Sequence, residues 1–585
     1  MSDADDKFPG GPLAVLEASG DPAVPFTAYL TGGTTAACPA RTMTELAAWA
    51  IDDMGMGSSR LDRNGDDEDP LLVLTASATE FLGLPPEFDD TVNQRLPATH
   101  PVVKAIAKAG WLIPPHRGFG PWVRLYQKVD TGRRCTQFAI LPWGALDTRL
   151  SWKGLDRFAP DQVADALGLY AARVIRPRGT AAVNGISLME AVRPRSRAVK
   201  KADGTGYEKG EVPGSLRKAV DPAPPEAPEE HPVAQNRHPD DVMDEEALDW
   251  VRPFENITAD EGALPYAVGV DVNTAFLAAA NGLTLGLGAP EHVDRPAFDK
   301  RIPGCWQVDL SDVDFAAALT AKALRARKPE AREKLLRMAA VDFARLPNPF
   351  TTDGLPPDRP GWYTTQTLAY AVELGIDVRP TQGWLRLGET GPYLQPWYNR
   401  IRDAYIATMA DLGVPENLPP AEFLEAMRRV PDGDPVLLAV LAAIKATVKS
   451  GLGKLRERPQ GIDYTPGERW PALDRPLWRP DFRAADISGS RVNMNRKILN
   501  TAAIADRYPL AVATDCIVYG AVGTSPLDAL AYTGDTHAPG TFQIGVNPGY
   551  VKHEGTQSMA WALDGLDRGV NIARHVKSGA LPKAA

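Results

Sequence analysis

The chain has 585 residues, too many for one hydrophobic core, and a share of roughly 100 to 200 residues per domain implies two to four domains. Hydrophobic residues make up 44% and charged residues 24%, an ordinary globular composition, while a net charge of -10 excludes a uniformly basic protein that coats DNA, because a large negative field repels phosphate. The longest apolar run, "VLLAVLAAI" at 436–444, falls short of the ~20 residues that span a bilayer, so no membrane partner is expected.

The opening "MSDADDKFPGG" lacks a basic and an apolar region, so no secretory signal is expected and the cytoplasm is the expected compartment. Cys38, Cys135, Cys305 and Cys516 lie far apart without a CxxC pair, which points to reduced thiols rather than a zinc site.

In chain order, strand-like "PLAVLEA" and "VPFTAYLTG" precede a helix, "TMTELAAWAIDDM", whose Leu46, Trp49 and Ala50 recur at helical spacing with Thr44 as the expected N-cap. Strand "PLLVLTAS", helix "HPVVKAIAKAG", strands "WVRLYQK" and "TQFAILPW", and helix "DQVADALGLYAARVI" follow. Residues 1–190 therefore read as a mixed α/β domain. From 191 to 250 the chain is rich in Pro, Gly and charge, as in "DPAPPEAPEEHPVAQNRHPDD", and reads as a linker or long excursion. Residues 251–585 hold further strands and long helices, among them "TQTLAYAVELG" and "YLQPWYNRIRDAYIATMADLG", and form a larger α/β assembly.

Two basic patches stand out: "RPRSRAVKK" at 193–201, expected in a loop, and "KALRARKPEAREKLLR" at 322–337, expected as one basic helix. A further helix begins near Asp434, which can cap it, with Pro435 in the first turn and Gly451 and Gly453 at its end. Lys445 and Lys449 fall one turn apart on its face. They suit either a nearby anion or a solvated position near the helix end.

Two carboxylates punctuate apolar runs. "YAVGVDVNTAFLAAANG" at 266–282 reads as a strand reaching Asp271 and turning into a helix, and "AVATDCIVYG" at 511–520 reads as two strands joined at Thr514–Asp515. Either acid alone is weak evidence, since an Asp at such a junction is equally often a cap.

Taken in order, strand–Asp–helix, lysine-bearing helix and strand–Asp–strand resemble motifs A, B and C of family B DNA polymerases, especially the protein-primed branch. "DVNTAFL" matches motif A (DxNSLYP) with Asp271, Asn273, Thr274 and Phe276. "KATVKSGLG" keeps Lys445, Ser450 and Gly453 of motif B (KxxxNSxYG) but has Lys449 for Asn and Leu452 for Tyr. "ATDC" keeps Thr514 and Asp515 of motif C (DTDS) but has Ala513 for the first Asp and Cys516 for Ser. The resemblance implies that Asp271 and Asp515 hold Mg²⁺ or Mn²⁺ if the protein is active, since nucleotidyl transfer uses two divalent cations about 3.5–4 Å apart. It implies Lys445 as a further catalytic residue and Phe276, Lys449 and Lys454 at the nucleotide. It also implies an RNase H-like exonuclease-type N-terminal domain and a palm, fingers and thumb in the second half. In the first domain only Glu17 matches the exonuclease acids; Val15 stands at the Asp position and Glu80 is the candidate second acid.

Longer strings, "LPYAVGVDVNTAFLAAANG", "AIKATVKSGLGKLRERPQG", "SRVNMNRK", "VKHEGTQSMAWAL" and "AGWLIPPHRGFGPWVRLYQ", resemble the telomere-associated proteins (Tap) of linear actinomycete replicons. That resemblance implies binding of the telomeric single-stranded 3′ end and recruitment of the terminal protein that primes end patching, at replicon ends in the cytoplasm. The alternative it leaves is an active protein-primed polymerase that adds nucleotides to the terminal protein. Single-strand binders combine basic tracks with stacking aromatics. On that pattern Trp122, Arg124, Tyr126, Arg400, Arg402, Arg491, Asn493, Asn495 and Arg496 are the candidate DNA contacts. The resemblance to protein-primed polymerases implies that the stretch at about 284–360 corresponds to their insertion that contacts the terminal protein, with Arg325, Arg327 and Arg332 as its candidate surface.

Overall fold

The structure is a computed structural model, and it describes residues 12–57, 69–88, 95–114, 118–129, 132–193, 197–210, 214–216, 218–459, 465 and 467–582. The principal strands are β1 (Leu13–Asp21), β2 (Val24–Tyr29), β3 (Thr35–Cys38), β4 (Leu71–Leu74), β5 (Trp122–Val129), β6 (Gly132–Ile140), β7 (Asp249–Val251), β8 (Tyr266–Val272), β9 (Glu291–Asp294), β10 (Gly304–Val308), β11 (Gly361–Thr364), β12 (Gln382–Leu385), β13 (Pro509–Ala513), β14 (Cys516–Ala521) and β15 (Val551–Ser558). The principal helices are α1 (Met43–Ala48), α2 (Ala76–Phe81), α3 (Pro101–Lys108), α4 (Pro160–Arg173), α5 (Ala181–Ala191), α6 (Ala275–Ala280), α7 (Phe315–Arg325), α8 (Pro329–Ala339), α9 (Thr365–Glu373), α10 (Gln395–Asp411), α11 (Pro420–Arg429), α12 (Pro435–Lys454), α13 (Pro480–Ala505) and α14 (Met559–Asp567). The fold is mixed α/β.

Two compact units emerge, one made of residues 1–195, 399–412 and 431–454, the other of 196–398, 413–430 and 455–585. The first unit carries a six-stranded sheet in the order β3-β2-β1-β4-β6-β5. β1 pairs antiparallel with β2 and parallel with β4, and β4 runs parallel to β6. Its central strands are continuous apolar runs, as strands buried on both faces must be: Leu71–Leu74 and Leu13–Leu16 are all buried. Helix α1 is capped by Thr42, whose hydroxyl accepts from the Glu45 amide at 3.2 Å, one turn fraction earlier than the expected Thr44. The carboxylate of Glu45 reaches back to the Arg41 amide, which fixes that start.

Helix α12 begins as expected, with Asp434 accepting from the amides of Val436 and Leu437. It does not stop at its glycines. It continues to Lys454, and Gly451 instead meets α5: a Cβ on Gly185 would lie 2.6 Å from Gly451 Cα and 2.7 Å from the Thr447 carbonyl oxygen. Tyr170 and Thr447 share a 2.6 Å hydroxyl hydrogen bond at the same junction. By length and composition α12 could cross a bilayer, which the shorter apolar run did not suggest, yet Ala439, Val440, Ala443, Ile444 and Val448 are buried within the unit.

The second unit holds an antiparallel five-stranded sheet in the order β15-β8-β14-β13-β7 and a four-stranded sheet in the order β9-β12-β10-β11. On one face of the larger sheet Ala267, Ala511, Ala513, Cys516 and Val518 pack with Met559, Ala562, Leu566, Ile572 and Val576.

The stretch expected as a linker differs from that expectation over 218–250, which is irregular but packed. Ala223, Glu226, His231, Glu245, Leu248 and Trp250 are all buried. Its prolines set short 3₁₀ turns at Pro224–Glu226 and Pro232–Ala234, and its acids meet buried arginines instead of water. Glu226 takes two hydrogen bonds from Arg386, at 2.8 and 2.6 Å, and Arg386 also lies 3.1 Å from Asp481. The basic segment at 322–337 is two helices, not one, because Pro329 lacks an amide proton and starts α8 afresh. The patch at 193–201 falls partly outside the described residues.

Candidate functional site

The sheet of the second unit brings the two motif acids together. Strand β8 is paired on both edges and continuously buried from Ala267 to Val270, and Asp271, its penultimate residue, stands directly opposite Cys516 of β14 on one side and Lys552 of β15 on the other. Asp515 is the second residue of the β13–β14 turn, and its carbonyl accepts from the Val272 amide at 2.8 Å. Asp271 on β8 and Asp515 in the β13–β14 turn therefore lie at the same end of one sheet.

Both turns are pinned. Thr514 adopts φ +60° and Thr274 φ +43°, a left-handed conformation that costs a non-glycine residue on the order of 1–3 kcal/mol. The Thr514 amide donates to the Leu248 carbonyl at 2.8 Å. After Asp271, the Asn273 side chain donates to the Gly545 carbonyl at 2.7 Å, its amide donates to Tyr550 and its carbonyl accepts from Gly549.

Charge around Asp271 is compensated by the protein itself. The Lys552 ammonium contacts the Asp271 carboxylate and lies 4.0 Å from Glu554, which in turn accepts from Lys577 at 3.1 Å. Burial pulls the Lys552 ammonium down to about 8, Glu554 opposes that shift and Lys577 adds to it, while contact with Asp271 favours the charged form. Burial raises the Cys516 thiol above its ordinary range, with the Glu554 and Asp515 carboxylates adding to the effect.

The divalent cations that the motif resemblance implies do not fit this donor set. Asp271 is met by an ammonium, Ala513 offers no oxygen, Glu554 is engaged by Lys577, and a thiol held protonated is a poor ligand for a hard cation. Among the described residues no three His, Cys, Asp or Glu side chains gather as a metal-ligand group.

The other predicted residues scatter. Phe276 is half-buried on α6. A small cavity of about 120 Å³ lies beside it in sequence, between Val272, Ala275 and Ala278 on one side and Ser490, Asn493 and Lys497 of α13 on the other. Lys497, adjacent to the predicted Arg496, was not singled out from the sequence, although it lies one turn from Asn493. Its ammonium donates to the Gly549 carbonyl at 2.5 Å, and burial lowers it to about 8. Lys445 and Lys449 are exposed on α12, and Lys454 is half-buried at its end. These three belong to the first unit, whereas Asp271 and Asp515 belong to the second.

Several expected DNA contacts are corrected. Arg491 is buried, paired with Glu245 and hydrogen-bonded to the Glu246 carbonyl at 3.0 Å, so its charge is spent inside the protein. Asn495 is buried and donates to the Arg491 carbonyl at 3.1 Å. Arg400 closes the end of α4 by donating to the Ala172 and Val174 carbonyls. Trp122 directs its indole N–H to the Ala145 carbonyl at 2.6 Å. Arg124 and Tyr126 share its face of the edge strand β5 and are half-buried. Arg402 is half-buried and paired with the exposed Asp403; Arg496 pairs with Glu373 and with Asn493, which is exposed.

In the first unit Glu17 accepts from the Tyr29 hydroxyl at 3.1 Å and lines a cavity of about 860 Å³. Asp147 and Asp156 line the same cavity. Glu80, expected as the second acid, does not; it is exposed on α2. Val15 is a fully buried apolar residue.

Residues 14–180 match a protein family described as a domain of unknown function, DUF8841. No curated protein matches the chain by sequence. Among solved structures the chain is similar to Phi29 DNA polymerase complexed with primer-template DNA, at 10% identity and a TM-score of 0.36, covering 93% of this chain and 84% of that one. An orthorhombic crystal form of Phi29 DNA polymerase gives the same identity and TM-score over 93% and 85%. The same polymerase complexed with single-stranded DNA gives 10% identity and a TM-score of 0.36 over 88% and 78%.

Proposed function

We propose that the chain binds the single-stranded 3′ telomeric end of a linear replicon on a polymerase-derived scaffold, and recruits the terminal protein that primes end patching. The observation that carries this reading is that Asp271, on β8, and Asp515, in the β13–β14 turn whose backbone bonds to β8, lie at one end of the same sheet, two acids far apart in the chain that the motif order pairs. The nucleotidyl-transfer alternative keeps that pair but lacks a free carboxylate set, because Lys552 contacts Asp271 and Ala513 replaces an acid.

The exposed cations of the α7–α8 pair, Arg325, Arg327 and Arg332, supply the surface for the terminal protein, with Leu324 exposed among them. Lys322 is not part of it; its ammonium closes the end of α9 on the carbonyls of Val372 and Glu373.

Electrophoretic shift on a telomeric single strand, across several salt concentrations, tests the DNA role. Preferential binding over a random strand, weakening as salt rises, is expected. Equal binding of both strands, or none, refutes it. Incorporation of nucleotide in Mg²⁺ or Mn²⁺ that disappears in Asp271→Asn would favour the polymerase alternative. Charge reversal at Arg325, Arg327 and Arg332 is expected to abolish capture of purified terminal protein while leaving the DNA shift unchanged.

A further inference from the structure

We propose that Lys552 takes the place of a divalent cation as the counter-ion of Asp271, so that this end of the sheet is closed to metal by a built network of alternating charges. The inference rests on reading Asp271 and Asp515 as a polymerase-type acid pair.

The network runs Asp271, Lys552, Glu554, Lys577, from carboxylate to ammonium to carboxylate to ammonium. Three features of the fold produce it. Lys552 is the direct cross-strand partner of Asp271, and side chains of such pairs share a face of the sheet. The β8–β15 register shifts at Gly269/Val270, which leaves Glu554 as the extra residue of a bulge, and bulges re-aim side chains next to such sites. The third is a pair of glycines, Gly269 and Gly555, facing each other across that shift. A Cβ on Gly555 would lie 2.5 Å from the Val576 carbonyl oxygen and 2.9 Å from Lys577 Cα, and one on Gly269 would lie 2.6 Å from Val576. Only their bare backbones let the Val576–Lys577 segment press onto the sheet and deliver the second lysine to Glu554. A chance surface contact would need none of these.

The consequence for binding follows from charge. An ammonium in contact with the carboxylate repels a second cation at the distance where a metal would bind, and it occupies an oxygen that the metal needs. Cys516, opposite Asp271 across the β8–β14 pair, offers a soft sulfur rather than an oxygen, and Ala513 offers no ligand atom. Removing the lysine takes one positive charge from the network and frees the Asp271 oxygen it occupies, with Glu554 close by and still engaged by Lys577.

The test is direct Mn²⁺ binding, read by electron paramagnetic resonance on the full chain without DNA. Wild type is expected to show no Mn²⁺ binding that depends on Asp271. Lys552→Ala is expected to bind one Mn²⁺ at least about tenfold more tightly, and Asp271→Asn in that background to remove the gain. Lys552→Arg keeps the charge and is expected to stay closed. Asp271-dependent Mn²⁺ binding by folded wild type would overturn the proposal by itself, whatever the variants do. So would a Lys552→Ala protein with wild-type circular dichroism that gains no Mn²⁺. Failure to bind telomeric DNA would refute the proposed function and leave this result standing, because no nucleic acid enters the measurement.

Discussion

Replacing Asp486 should make the protein more stable at neutral pH. Asp486 lies in α13, is fully buried, and neither of its carboxylate oxygens has a hydrogen-bond partner. Burial raises its pKa well above the ordinary carboxylate value, and the Arg483 guanidinium only partly opposes that shift because Glu246 already pairs with it at 2.6 and 2.8 Å. A raised folded value means that the folded state holds a proton which the unfolded chain, titrating near about 3.9, has released. Stability from this group is therefore complete below about 3.9 and falls as pH rises toward the folded value. Inside that window the loss is about 1.4 kcal/mol per pH unit, or about 2.7 kcal/mol over two units. Asp486→Asn mimics the protonated acid in shape and charge. It should match wild type in acid and exceed it progressively as pH rises. Urea unfolding of both proteins, followed by tryptophan fluorescence across the window, isolates the effect, since every other group titrates alike in the two. Two unfolding curves that shift in parallel with pH would refute the reasoning.

Gly185→Ala should destabilise the first unit by about 1–3 kcal/mol, seen as a lower thermal midpoint, because the added methyl meets the Gly451 backbone at 2.6 Å and neither helix can yield locally. Arg491→Ala should cost about 3–5 kcal/mol by stranding the buried Glu245 carboxylate, with no change in the salt dependence of DNA binding at temperatures where the fold persists. Arg402→Ala, which breaks a largely solvated pair with Asp403, should change stability by less than about 1 kcal/mol in the same unfolding assay.

Much of the secondary structure was legible because it follows from local rules. Short continuous apolar runs gave strands at Leu13–Asp21 and Leu71–Leu74, and Asp434 with Pro435 marked the start of α12. Local rules failed where a distant neighbour had the deciding voice. Gly451 has the look of a helix stop, but α5 passes there, and only a residue without a side chain admits it. The Pro-rich stretch after residue 218 has the composition of a linker. Its glutamates nevertheless find Arg386 and Arg491, whose burial no composition reveals. Arg491 and Asn495 look like DNA contacts as letters and are interior residues in space, because the face of α13 that carries them points inward.

The sequence by itself determined the mixed α/β character, the strand–acid–turn pattern at Asp271 and Asp515, and the cap that starts α12, all set by residues within a few positions of one another. Only the tertiary structure decided that Asp271 and the Asp515 turn lie at one end of the same sheet, that Lys552 meets Asp271, and that two glycines bring the Val576–Lys577 segment against the sheet beside Glu554. Cross-strand pairing joins residues hundreds of positions apart through register alone, and register is fixed by which side chains the whole sheet must bury.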